Sequence, residues 1–453
     1  MSYKAIIARA VLRKHPNADR LKLVDLNGYQ VVTGADLQEG QLVAFFPEGG
    51  ALSHEFVYEN SEYRQGKGEN KDQGSQGLFE SNRRIKTIKL RGERSEGYCV
   101  PLENLLYTGI NLRELSEGTI FTELNGHPIC EKYVPPATRE AQEKASRAGR
   151  AYFSVDNFEK HFDTEQLRIF INRIPVGAVL YFTEKLHGTS GRTGNLWVKS
   201  SRILTWWQKI TQVLATLIHK LGGGKTVPLG DFKIITGSRN MTFNPDSVYA
   251  DGYRKVVESW FTNKLHEGET VYYEIVGFTE GGNPLFKHPV GGDPKDDVRK
   301  ELAKVYGPTM IYSYGCTSNG PCASTCTDSS CGPQFDIYIY RITSTNNTGD
   351  TVEYSWPQVE RRCRELGLKA VPNLMRAIIY DGDREALLQK VNVLASGSSI
   401  LDKSHIREGI CLRVEHPDVP IEKGILKYKS FHFCHLEGIA KNDDTYIDNE
   451  EIA

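Results

Sequence analysis

The residues best suited to covalent chemistry are Thr183-Glu184-Lys185-Leu186-His187-Gly188-Thr189-Ser190. They follow the apolar run Val179-Leu180-Tyr181-Phe182, which reads as a strand. A lysine at a strand end, with glycine close behind, can sit where a phosphate approaches the backbone. To attack phosphorus its amine must be neutral. An unperturbed lysine titrates at roughly 10.4, and bringing it to about 7 takes about 4 kcal/mol. Burial and neighbouring cations both push that way. Taken alone, a lysine near a glycine reads as a solvated charge.

Five further pieces follow in order. Gly237-Ser238-Arg239-Asn240 comes first, then Val271-Tyr272-Tyr273-Glu274-Ile275-Val276-Gly277, a strand pattern carrying one carboxylate. Phe335-Asp336-Ile337-Tyr338-Ile339-Tyr340-Arg341 is an aromatic strand pattern. Arg407-Glu408-Gly409-Ile410-Cys411-Leu412-Arg413 puts a carboxylate just before another. Leu426-Lys427-Tyr428-Lys429 places two lysines two residues apart, on one strand face. Singly, Glu274 and Glu408 read as surface carboxylates, the tyrosines as packing and Arg239 as a surface charge.

Together, over about residues 150 to 435, the set resembles the six collinear motifs of covalent nucleotidyltransferases: DNA ligases, RNA ligases and mRNA-capping guanylyltransferases. The resemblance implies that Lys185 is the nucleophile that takes AMP, with Glu408, Lys427 and Lys429 beside it in catalysis. It implies nucleotide binding by Glu184, His187, Gly188, Arg239 and Glu274. Tyr340 would stack on the base, with Tyr338 as second candidate. Glu274 and Glu408 would hold Mg2+ or Mn2+, directly or through water, and the nucleotide would be ATP. His187 stands where many members carry aspartate, as it does in nick-sealing RNA ligases, and Tyr273 stands where glycine often precedes the glutamate. Ala453 follows Lys429 by 24 residues, too few for the trailing OB domain of DNA ligases and capping enzymes. Ser355-Trp356-Pro357 also resembles RNA-ligase sequence. The expected activity is joining of RNA 3′-OH and 5′-phosphate ends, a nicked duplex foremost, by a monomer. The alternatives are another covalent nucleotidyltransferase and a non-catalytic RNA-binding adaptor.

The elements that must position these residues read as α+β. Residues 1–130 show short alternating runs such as Tyr29-Gln30-Val31-Val32 between Gly and Asp turns, which suggests a small β-barrel. His15-Pro16-Asn17-Ala18-Asp19-Arg20-Leu21 resembles the opening of tRNA-binding OB domains, and Lys89-Leu90-Arg91-Gly92-Glu93 resembles the N-terminal OB domain of some RNA ligases. The resemblances imply an N-terminal OB-type β-barrel followed by a nucleotidyltransferase (ATP-grasp-like ligase) domain built on antiparallel sheets. The run Arg84 to Arg91 alternates basic and apolar residues, and Lys86, Lys89, Arg91 and Arg94 are the candidate RNA contacts. The expected divisions are 1–130 for the OB domain, 131–150 for a polar linker, 151–440 for the catalytic domain and 441–453 for an acidic tail.

Other features point less sharply. From Ile203 to Leu221 apolar residues recur every three or four positions, the pattern of an amphipathic helix in an insertion. Gly224-Lys225-Thr226 is no phosphate loop, because His219 stands where the motif needs glycine. Cys316, Cys322, Cys326 and Cys331 could hold a structural zinc or equally stand unligated or oxidised, because their spacing is not that of paired knuckles. Cys99, Cys130, Cys363, Cys411 and Cys434 read as isolated buried thiols. A net charge of -1 excludes a simple basic packaging protein and leaves a local RNA-binding face open. The start does not read as a signal peptide, and the expected location is cytoplasmic.

Overall fold

Two antiparallel sheets face each other across the candidate site, and a third group of strands backs one of them. The computed structural model describes residues 3–34, 36–136, 139–140, 155, 157–162, 164–199, 230–239, 242–243, 252–277, 288–289, 297–306, 309–310, 312, 335–346 and 349–437. The cysteine cluster Cys316 to Cys331, the helical pattern at 203–221 and the acidic tail lie outside the described residues.

The N-terminal strands are β1 (Ala5–Arg9), β2 (Val11–Lys14), β3 (Leu21–Leu26), β4 (Tyr29–Gly34), β5 (Leu42–Pro47), β6 (Thr87–Leu90), β7 (Glu93–Pro101) and β8 (Ile120–Phe121). They form a five-stranded sheet, β6-β7-β5-β1-β8, and a three-stranded sheet, β2-β3-β4. The expected closed barrel does not form: β4 meets β7 through side chains, not a ladder. The Gln30 amide donates to the Arg94 carbonyl at 2.9 Å, and the Val32 N–H donates to Ser95 Oγ at 3.0 Å. These bonds satisfy the β4 edge without continuing the sheet.

The motif at His15 has a local structural role. His15 is buried, and its Nδ1 accepts the Asn17 N–H at 3.1 Å. That leaves Nε2–H to donate to the Leu90 carbonyl at 3.2 Å. Asn17 donates its side-chain amide to the Arg91 carbonyl at 3.0 Å. The motif thereby clamps the β6–β7 hairpin at its two-residue turn, where Arg91 and Gly92 have φ of 51° and 91°.

In the C-terminal part the strands are β9 (Val179–Lys185), β10 (Thr189–Lys199), β11 (Gly230–Ser238), β12 (Glu269–Gly277), β13 (Phe335–Thr345), β14 (Gly409–Glu415) and β15 (Ile425–Lys429). One sheet has β14 between β9 and β15; the other runs β11-β10-β12-β13. Strand alternation decides what each face does. Leu180, Phe182, Ile410, Leu412, Val414, Leu426 and Tyr428 point to the back of the first sheet, into a core shared with Ile6, Val24, Leu26 and Phe45 of the N-terminal strands. Thr183, Lys185, Cys411, Lys427 and Arg413 point forward, into a cavity.

Helix α1 (Trp356–Leu366) covers the second sheet. Its start is fixed by the Ser355 N–H donating to Gln358 Oε1 at 2.7 Å, and it stops at Gly367 with φ 69°. Its buried stripe Trp356, Val359, Cys363 and Leu366 packs on Ile337 and Ile339 of β13. Helix α2 (Arg384–Ala395), capped by Asp383, lays Leu387 and Val391 on the back of the first sheet. Helix α3 (Phe431–Glu437) follows β15 directly.

Candidate active site

Three strands bring the catalytic candidates to one end of the first sheet. Gly409 pairs with Lys185 on one side and with Lys429 on the other, and Cys411 pairs with both Thr183 and Lys427. A Cβ at Gly409 would lie 2.0 Å from the Tyr428 carbonyl oxygen, so the close passage of β14 and β15 requires glycine there. Glu408 enters the sheet at this point and is fully buried. Its Oε1 accepts from Lys185 Nζ at 2.6 Å and from Lys429 Nζ at 3.0 Å. One carboxylate therefore holds both amines, and its Oε2 is buried with no hydrogen-bond partner among the described residues. An orphaned buried carboxylate oxygen is costly unless a cation or water completes it.

The cavity in front opens to solvent, and with that open space included it measures about 850 Å³. Lys185, Glu184, Lys427, Arg239, Glu274 and Tyr340 line it, joined by His161, Phe162, Thr164, Arg341 and Arg413. Glu274 accepts from Ser190 Oγ at 3.2 Å. Tyr340 reaches the cavity where the β12–β13 register shifts between Tyr272 and Tyr273. Arg341 pairs with Tyr272 and Ile339 with Tyr273, leaving Tyr340 as the extra residue, turned inward as bulges do. Its carbonyl accepts from Arg413 Nη2 at 2.7 Å, and its hydroxyl lies 2.8 Å from His161 Nδ1. Burial, with Arg192, Arg239 and Arg341 nearby, holds His161 well below the usual imidazole range, so it is neutral at pH 7. Tyr338 belongs to the hydrophobic core and does not line the cavity.

Two candidates turn away from the cavity's centre. The Glu184 carboxylate accepts the Ile400 N–H at 2.9 Å and lies 3.9 Å from Arg407, which ties β9 to the loop before β14. Burial raises it above the usual carboxylate range, against the bonds from Ser399 and Ile400. His187 is buried between His405 and Phe433, with ring centroids 5.7 and 5.1 Å away. Gly188 is a close-approach position: a Cβ there would lie 2.3 Å from the Ile275 carbonyl oxygen. Gly188→Ala must push β12 away from the Lys185 segment. We expect it to lower stability by about 1–3 kcal/mol, as overpacking does, and to weaken nucleotide labelling of Lys185. Thermal melts and labelling check this; an unchanged melt would show that β12 yields freely.

The N-terminal basic residues divide. Lys89 and Arg91 are exposed on the hairpin, and Lys86 is half-buried just before β6, which begins at Thr87. Arg94 instead ion-pairs with Glu96 at 2.9 Å and stacks 3.8 Å over the Phe431 ring, so it docks the hairpin on α3. Among the expected buried thiols, Cys411 and Cys434 are only half-buried, and Cys411 lines the cavity because alternation aligns it with Thr183 and Lys427. The same alternation marks Arg413, which the sequence reading missed. His161 and Phe162 had no local signal, since they reach the site from far along the chain.

Among the described residues no cluster of three or more His, Cys, Asp or Glu is placed to hold a metal, and no helix is long and apolar enough to cross a membrane. No model of a protein family matches the chain, and none of the curated proteins does. Solved structures do. An apo form of a substituted Naegleria gruberi RNA ligase matches with a TM-score of 0.53 at 15% identity, covering 96% of this chain and 98% of that one. A substituted form with ATP and Mn gives 0.53 at 16%, covering 97% and 99%. The same organism's RNA ligase with PPi gives 0.51 at 15%, covering 95% and 97%. The chain thus shares its fold with this RNA ligase along nearly its whole length.

Proposed function

We propose that this protein is an ATP-dependent RNA ligase. The observation that carries the reading is the convergence of Lys185, Glu408 and Lys429 on one sheet end beside an aromatic-walled cavity. The fold shared with Naegleria gruberi RNA ligase supports it.

Lys185 attacks the α-phosphorus of ATP and pyrophosphate leaves, giving lysyl-AMP. AMP then passes to an RNA 5′-phosphate, and a 3′-hydroxyl displaces AMP to form the phosphodiester. Glu408, whose buried Oε2 has no partner among the described residues, and Glu274 are the residues that would hold Mg2+ or Mn2+; two carboxylates suffice because magnesium keeps several waters. Bound there, the ion would supply positive charge to the phosphates. Lys427 and Lys429 stabilise the same negative charge, Tyr340 offers its ring to adenine, and Arg239 lies at the cavity wall. Residues 1–130 act as an RNA-binding domain, linked by 131–150 to a catalytic domain at 151–440.

The test is transfer of label from α-labelled ATP to the denatured protein, after pyrophosphate has stripped any bound AMP. Label from ATP, followed by sealing of nicked RNA, supports the reading. Label from GTP instead would make it a guanylyltransferase, and no label from either would leave an RNA-binding adaptor. A second expectation concerns the hairpin. Reversing Lys89 and Arg91 to glutamate should weaken nicked-RNA binding about 10-fold or more in low salt, through lost phosphate contacts, while labelling is unchanged. Unaltered binding would remove the hairpin from the RNA interface.

A further inference from the structure

A second cleft, about 1580 Å³ and open to solvent, lies between the N-terminal strands and β15. It abuts the nucleotide cavity. Thr164 lines both, and Lys429 lines this cleft as Lys427 lines the other. One wall carries the half-buried Tyr133, with the Arg84 guanidinium 4.7 Å from its ring centroid. The lining also holds three carboxylates, of which Glu165 pairs with Lys4 at 3.6 Å. Glu96 is held by Arg94 at 2.9 Å and Arg168 at 3.5 Å. Glu48 has a buried Oε2 without a hydrogen-bond partner among the described residues, and burial, with Glu96 beside it, pushes its carboxyl up to about 7.

Charge sorts what such a cleft can take. Glu48 and Glu96 offer a phosphate nothing to bond, whereas at Lys429 it is attracted and lies next to the catalytic cluster. An aromatic face braced by a guanidinium suits a nucleobase. Carboxylates accept from exocyclic amines and ribose hydroxyls. A nucleotide placed with its phosphate toward Lys429 and its base toward Tyr133 meets all three conditions; the reverse orientation would set the phosphate by Arg84 and Lys132, away from the catalytic cluster.

We propose that this cleft seats the 5′-phosphorylated terminal nucleotide of the RNA strand, its base on Tyr133 and its phosphate at Lys429. The proposal rests on the ligase reading and deepens it by assigning the site of the polynucleotide end. It requires the terminal base to leave its neighbour's stack, so single-stranded RNA is the direct probe.

The experiment measures binding of a short, fluorescently labelled, 5′-phosphorylated single-stranded RNA by anisotropy, without ATP or metal. The terminal nucleotide is intact or abasic, and the protein is wild type or Tyr133→Ala. An abasic end should weaken wild-type binding roughly 10-fold, as loss of one stacked base does. Tyr133→Ala should weaken intact RNA similarly, and the two losses should not multiply when combined. Equal wild-type affinity for the intact and abasic ends would overturn the proposal, and so would losses that multiply. The wild-type comparison needs no variant to fold. Label transfer reads the nucleotide cavity alone: labelling without dependence on the terminal base would sink the cleft and keep the enzyme. A base-dependent end site without labelling would do the reverse.

Discussion

Lys185→Ala is expected to take no label from α-labelled ATP, a loss of at least about 10^3-fold and as large as the assay can read, since a nucleophile cannot be replaced from elsewhere. Lys185 ends β9 with its amine 2.6 Å from Glu408, and among the described residues the pocket lining contains just one other lysine, Lys427, which sits on a different strand. Lys185→Arg should fail as completely. A guanidinium stays protonated and has no lone pair to offer phosphorus. Both variants should fold, because the side chain meets the cavity and not the core. Both should keep some capacity to seal RNA already carrying a 5′-adenylyl group, since that substrate bypasses the lysine bond. Label on Lys185→Ala at the wild-type rate would place the nucleophile elsewhere and dismantle the site assignment.

Glu408→Gln should have the next largest effect. The carboxylate is fully buried, bonds Lys185 and Lys429 through one oxygen and leaves the other without a partner among the described residues. Glutamine keeps the shape and removes the charge. Two ammonium groups then face each other with no anion between them, and a divalent ion loses its most buried ligand candidate. Breaking a buried pair by removing one partner costs about 3–5 kcal/mol. If about 3–4 kcal/mol of that falls on the reaction, labelling drops by roughly 10^2- to 10^3-fold. The variant should also need more Mn2+ to reach half its maximal rate. Labelling at the wild-type rate across an Mn2+ titration would show that Glu408 holds the lysines without serving the metal or the phosphates.

Much of this site was readable locally. A strand alternates its side chains, so Lys427 and Lys429 share a face from spacing alone, and Glu408-Gly409 announces a carboxylate at a strand start. The choice between Tyr340 and Tyr338 was not readable. Both have the same parity on one strand, and only the register shift opposite Tyr272 and Tyr273 sends Tyr340 to the cavity and leaves Tyr338 in the core. Arg94 looked like one more basic residue on an alternating run; its place over Phe431 depends on how the hairpin meets α3.

The sequence by itself determined the order of the reactive groups and the faces they occupy, because 2-residue strand periodicity and the need for glycine at close approaches are properties of the local chain. Tertiary structure decided which groups meet. Glu408 stands 223 residues beyond Lys185 in the chain, and His161 stands 179 residues before Tyr340, yet each pair lies within 3 Å. It also decided that the N-terminal sheets do not close into a barrel, because side-chain bonds from Gln30 and Ser95 took the place of a ladder. Contacts of that kind follow from the packing of whole sheets, which no local pattern encodes.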